Sequence, residues 1–288
     1  MSLSTRMING LGEIASQYDT YILDLWGCLH NGVTAYPAAL EALRNLHKAG
    51  KRNIILSNAP RRAREVAARM AELGIEPGLY DRIFTSGEET WRALSQGGIA
   101  QLKDAARFFA IIAKRDRAVL ENVTATQVDD VSQADFILVT GTETGAEEPA
   151  SFDPVLTIGA KRGLPLICAN PDLVVHRGSI EEYCAGSIAL RYEAMGGKVI
   201  WFGKPYPAIY RRILEECDLD PAQVLGVGDS VRTDVAGGAG VGASTLFIGG
   251  GIHHADLLVD NQIDSAALAS LCRDRGATPN FAIPFLRW

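Results

Sequence analysis

The chain has 288 residues, more than one average domain and short for three, with 47% hydrophobic and 22% charged residues, the balance of a globular protein able to bury a full core. Its formal net charge of -6 attracts neither nucleic acid nor anionic lipid, and it leaves any phosphate site to local residues. No run approaches a membrane span, the first residues lack an apolar signal segment, and the five cysteines show no C-x-x-C spacing. The sequence therefore predicts a cytoplasmic protein with reduced thiols.

In chain order, YILDLWG (21–27) and NIILSN (53–58) read as buried strands, apolar and β-branched with polar ends. Between them Ala39, Leu40, Leu43 and Leu46 share one face of a helix that stops at Ala49-Gly50. Pro60 offers a helix start, and Ala63, Val66, Ala67, Met70 and Leu73 recur at helical spacing up to Gly74. This β-α-β-α order predicts a parallel sheet. FFAIIA (108–113), DFILVT (135–140) and PLICAN (165–170) predict the strands of a second α/β unit, inserted at 85–181. VIWFG (199–203), VLGVGDS (224–230) and STLFIGGG (244–251) read as further strands of the first unit, 1–84 and 182–288. The apolar tail FAIPFLRW packs on the core or on a partner subunit. Gly238–Ala243 matches G-x-G-x-x-A, but it precedes a strand instead of following one, which rejects a dinucleotide site.

Ligands of an open parallel sheet bind beyond the carboxyl ends of its strands. Those ends carry Asp24, Ser57, Asn58 and Asp229, with Asp234 five residues on and Lys204 after another strand. Carboxylates converging in one cleft repel unless a hard cation neutralises them, and Mg²⁺ suits oxygen ligands and substrate phosphate. The residues therefore read as a Mg²⁺-assisted phosphoryl site with Asp24 placed for in-line attack. Each has a plainer reading: Asp24 as the cap of a turn, Lys204 as a surface residue, and Asp234 or Thr233 as a helix cap.

DLWGCLHNG, ILSN, GKP and GDSVRTD, in this order, resemble the four motifs of the haloacid dehalogenase (HAD) superfamily. CANPD, YCAGSIALRYEAMGG and FGKPYPAIY are similar to segments of its class IIA branch, the NagD-like and p-nitrophenylphosphatase-like phosphatases. The resemblance covers roughly residues 20–250. It implies a Rossmann-like HAD core with an inserted α/β cap, and a homodimer formed through that cap. It also implies a nucleophile in Asp24, phosphate contacts from Ser57 and Asn58, and charge screening by Lys204. Mg²⁺ would be held by Asp24, the Trp26 carbonyl and Asp229, with Asp234 as a ligand or behind one. Asn170, Pro171 and Asp172 would face a small phosphorylated metabolite from the cap.

The departure is Trp26, where the family's usual aspartate protonates the leaving alcohol. Indole N–H is only a donor and does not titrate. The expected result is slow hydrolysis of alkyl esters and tolerance of good leaving groups, since general acid–base catalysis contributes roughly 10²–10⁴-fold. His30 is either a solvated loop residue or the stand-in acid. Trp26 either packs the core or walls the site from water. Cys28 reads as a small buried hydrophobe, and His253 and His254 as solvated. Asn170-Pro171-Asp172 could equally be a simple turn, and the acidic run of the cap disfavours highly anionic ligands. Two other functions stay open: a non-catalytic phospholigand binder, favoured by Trp26, and a phosphotransferase, distinguished by product analysis with added acceptors.

Overall fold

The computed structural model describes residues 5–288. The chain opens with β1 (Arg6–Met7) and β2 (Thr20–Leu23), then α1 (Pro37–Lys48), β3 (Arg52–Ser57), α2 (Ala63–Glu72), β4 (Arg82–Thr85) and α3 (Ser86–Ser95). It continues through β5 (Arg107–Ile111), β6 (Thr126–Val128), β7 (Phe136–Val139), α4 (Asp153–Lys161) and β8 (Pro165–Cys168). Next come β9 (Val174–Arg177), β10 (Ile180–Tyr183), α5 (Ala185–Ala194) and β11 (Lys198–Trp201). It ends with α6 (Pro207–Cys217), β12 (Val224–Gly228), α7 (Ala236–Ala239), β13 (Ser244–Ile248), α8 (His254–Leu257), β14 (Leu258–Val259), β15 (Gln262–Ile263), α9 (Ser265–Arg275) and β16 (Phe281–Ile283).

Two sheets organise these elements. The first has seven strands in the order β1-β16-β13-β12-β2-β3-β4, every pairing parallel. Its strands are near-continuously apolar because helices cover both faces. Leu43 and Leu46 of α1 join Leu23, Ile55 and Val227 on one side, while Ile209 and Ile213 of α6 join Ile22 and Ile54 on the other. The second sheet has five strands, also parallel, in the order β11-β8-β7-β5-β6. It packs against α4 and α5 around Ile137, Leu156, Leu166 and Ile188. β9 and β10 form a separate antiparallel hairpin.

Three sequence expectations change and one open alternative is resolved. The strand expected at 199–203 in the first sheet lies in the second, where β11 pairs with β8. With α5 packed there too, the second sheet and its core reach past residue 181, to Trp201. An apolar strand fits either parallel sheet, and its partner is chosen by the helix that precedes it. α2 begins at Ala63 rather than at Pro60. The C-terminal tail resolves toward the core: β16 pairs with β13 and β1.

Candidate active site

β2 delivers Asp24 to the carboxyl edge of the first sheet, and its N–H donates to the Val227 carbonyl at 2.9 Å. The turn that follows folds back on Leu25, whose carbonyl accepts from Leu29 N at 2.8 Å and His30 N at 3.1 Å. Gly27 makes this possible. Its φ is +73°, and a Cβ there would lie 1.9 Å from Asp229 Oδ2. β12 brings Asp229 to the same edge, and the one-turn helix at Val231–Val235 places Asp234 beside it.

The Lys204 ammonium bonds Asp24 and also donates to Asp234 Oδ1 at 2.7 Å. Asp234 Oδ2 accepts from Ser230 N at 3.1 Å, so both oxygens of this carboxylate are engaged within the protein. Asp229 Oδ2 accepts from Ile252 N at 2.7 Å. Asp24, Asp229, Asp234 and Lys204 are all buried. Burial pushes the Asp24 carboxyl up against the opposing pull of Lys204. Burial also raises Asp229, with the Asp24 and Asp234 charges adding to the shift. Burial alone would lower Lys204, yet the Asp234 and Asp24 carboxylates outweigh it and hold the ammonium charged.

Three buried carboxylates thus face one ammonium, an imbalance that a hard dication relieves. Asp24, Asp229 and Cys28 offer donor atoms within 4.8 Å of one another. Burial pushes the Cys28 thiol well up, so it stays protonated and leaves the carboxylates as donors. A Cβ on Gly251 would lie 2.0 Å from Asp229 Oδ2, so two glycines make the room this carboxylate occupies. Asp234 lies outside this cluster, with one oxygen on Lys204 and the other on Ser230 N.

Asn58 ties the two units together. Its Oδ1 accepts from Lys204 N at 2.7 Å and Ser86 Oγ at 3.1 Å, and its Nδ2 donates to Asp172 Oδ1 at 2.9 Å. The Asp172 side chain is therefore engaged with the core rather than unattached in the cleft. Asn170 Oδ1 accepts from Asp172 N at 3.0 Å, and the Pro171 carbonyl accepts from Arg232 at 2.6 Å. Ser57 is buried, and its Oγ accepts from Ala59 N at 3.2 Å, leaving the hydroxyl proton for another acceptor. All of these except Pro171 and Ser86 line one cleft of about 640 Å³ between the two units.

His30 is not solvated. It is 3% exposed, its Nδ1 accepts from Gly32 N at 2.9 Å, and burial beside Arg69 and Arg177 drives its pKa to about 4. That value keeps the imidazole mostly neutral at pH 7. His253 is half-buried, while His254 is exposed. Sequence reasoning missed the hairpin β9–β10, although Gly178-Ser179 between β-branched residues is a two-residue turn signal. It also missed the guanidinium groups of Arg61, Arg69, Arg115, Arg177 and Arg232, which line the cleft despite the acidic sequence of the cap. Among the described residues, no helix is long and apolar enough to cross a membrane.

The family model of haloacid dehalogenase-like hydrolases matches residues 21–126, and one described as HAD-hydrolase-like matches residues 201–272. Chronophin from Mus musculus is 30% identical over 244 residues, covering 82% of each chain. A solved hydrolase of the haloacid dehalogenase-like family from Brucella suis 1330 is 32% identical and covers 97% of this chain and 99% of its own, with a TM-score of 0.83. A p-nitrophenyl phosphatase from Archaeoglobus fulgidus is 25% identical and covers 93% and 97%, with a TM-score of 0.69. The chain belongs to the haloacid dehalogenase-like hydrolases, in their NagD-like and p-nitrophenylphosphatase-like branch, and is by class a phosphoric monoester hydrolase.

Proposed function

We propose that the protein is a Mg²⁺-dependent phosphatase that hydrolyses a small phosphorylated metabolite through an aspartyl phosphate on Asp24, and that Trp26 makes it slow on alkyl esters. The carrying observation is the Lys204 ammonium bonded to both Asp24 and Asp234 beside the carboxylate of Asp229. Mg²⁺ held by Asp24, Asp229 and the Trp26 carbonyl would neutralise phosphate charge and orient phosphorus toward Asp24.

The remaining chemistry belongs to the chain. The free oxygen of Asp24 bonds to phosphorus as the ester P–O bond breaks. The Ser57 hydroxyl and the Asn58 N–H donate to phosphate oxygens, and Lys204 balances the charge on the Asp24 side. Water then attacks phosphorus, the P–O bond to Asp24 breaks, and inorganic phosphate leaves. Neither Trp26 nor neutral His30 supplies a proton to the departing alcohol, so aryl and acyl phosphates turn over fastest. Five free, buried cysteines support a reducing, cytoplasmic setting.

The second reading is a non-catalytic phospholigand binder, and the indole at Trp26 is the observation that favours it. The test is p-nitrophenyl phosphate turnover with and without Mg²⁺, on the native chain and on Asp24→Asn. Metal-dependent turnover lost in Asp24→Asn supports the phosphatase. Absent turnover with Mg²⁺-dependent binding of a phosphate analogue supports the binder.

A further inference from the structure

The Trp26 indole is held on three sides. A Cβ on Gly32 would fall 2.2 Å from the ring, so only glycine admits it there. His30 meets the indole edge-on, with ring centroids 5.0 Å apart. The Arg177 guanidinium lies over it, 5.2 Å from the ring centroid. Arg177 comes from the other side of the cleft, at the end of β9. Glu182 on β10 accepts from its Nε at 2.7 Å and its Nη2 at 3.3 Å, which fixes the plane of the guanidinium. One residue on, Gly178 N donates to the Asn31 carbonyl at 3.0 Å. Arg69 Nη2 donates to the Gly32 carbonyl at 3.1 Å from the core side. The hairpin joins neither large sheet. Its base is tied to the inserted unit through Tyr183 N and the Gly145 carbonyl, at 2.7 Å.

We propose that Arg177 is a positioning residue that seats the hairpin β9–β10 on Trp26 and thereby closes the leaving-group side of the cleft. The indole, unable to act as an acid, is the docking face. Closure excludes water around Asp24 and limits the alcohol portion of the substrate to what fits beneath the hairpin tip. The kinetic consequence rests on the phosphatase reading; the docking itself does not.

The experiment is hydrogen–deuterium exchange at the Gly178 amide, read without substrate in the native chain, Arg177→Ala, Trp26→Leu and the double variant. Thermal melts establish that each is folded. The expected result is exchange about tenfold faster in either single variant, the opening that loss of one cation–π contact permits, and no further acceleration in the double variant. Arg177→Lys should retain part of the protection. Unchanged exchange in Arg177→Ala, or fully additive effects in the double variant, would overturn the proposal. With p-nitrophenyl phosphate, Arg177→Ala should raise KM several-fold with a smaller change in kcat. A fall in kcat at constant KM would instead place Arg177 in the chemistry and overturn its role as a closing residue. Absence of turnover in the native chain would refute the phosphatase reading and leave the exchange result standing.

Discussion

Lys204 Nζ donates to Asp234 Oδ1 at 2.7 Å, and the other oxygen of Asp234 is taken by the Ser230 N–H. Asp234 therefore acts on the lysine. Asp234→Asn keeps an oxygen for Ser230 but removes the charge that holds the ammonium. Turnover should fall about 10- to 100-fold. The Mg²⁺ concentration for half-maximal rate should move less than it does in Asp229→Asn. Mg²⁺ titrations of both variants check this; a larger shift in Asp234→Asn would make that residue a direct ligand.

Gly251→Ala probes the proposed Mg²⁺ side without replacing a carboxylate. The added Cβ would meet Asp229 Oδ2 at 2.0 Å and Asp229 Cβ at 2.3 Å, so the carboxylate and the backbone that carries it must both shift. Half-saturation by Mg²⁺ should rise by roughly tenfold or more, with the circular dichroism spectrum unchanged.

Asn58→Ala strands the buried backbone of Lys204 and frees Asp172 at once. Each buried group left unpaired costs about 1–3 kcal/mol. Urea unfolding should show a loss at or above that single-group range, accompanied by a lower rate because Lys204 shifts. A variant as stable as the native chain would remove Asn58 as the joint between the units.

His30 supplies a pH dependence with a definite sign. Its pKa is about 4 in the folded chain, against about 6.5 when unfolded. Between those values the unfolded chain binds the extra proton, so stability falls as pH drops from about 6.5 to 4, by up to about 3 kcal/mol at 1.36 kcal/mol per unit. The carboxylates titrate over the same interval, so the quantity to measure is the difference between native and His30→Gln. Urea midpoints at pH 7 and pH 4.5 should converge as the pH falls. A constant difference would mean that His30 is protonated alike in both states.

Trp26→Asp should restore a proton donor near the leaving group. The rate on glycerol phosphate relative to p-nitrophenyl phosphate should rise at least about tenfold, within the roughly 10²–10⁴-fold that general acid–base catalysis contributes. An unchanged ratio would show that bond cleavage does not await protonation.

Local pattern made much of this legible. Asp24, Ser57 and Asp229 lie where apolar strands end, and strand ends of a parallel sheet meet at one edge whatever the loops do. Asp234 was legible as a neighbour of that edge, but its partner was not, because only the fold reveals that Lys204 arrives from 30 residues earlier. The sheet of β11 was hidden because Val199–Trp201 carries no mark of which parallel neighbour it joins. His30 was misread for a similar reason: a turn that bonds back onto Leu25 buries a residue whose type favours the surface. The arginines of the cleft were invisible in net charge, which sums over the whole surface and says nothing about one concavity.

The chain leaves the first sheet for the second at Ser86 and returns at Gly203, and both points converge on Asn58. A Cβ on Gly203 would fall 1.9 Å from Ser86 Oγ and 2.5 Å from Asn58 Oδ1. The outgoing and incoming segments are stitched together a residue away from Lys204. Exchange of the inserted unit between relatives is therefore constrained at its seam: a chimera joined inside residues 86–203 keeps the stitch, whereas one that replaces Ser86 or Gly203 also re-aims the lysine.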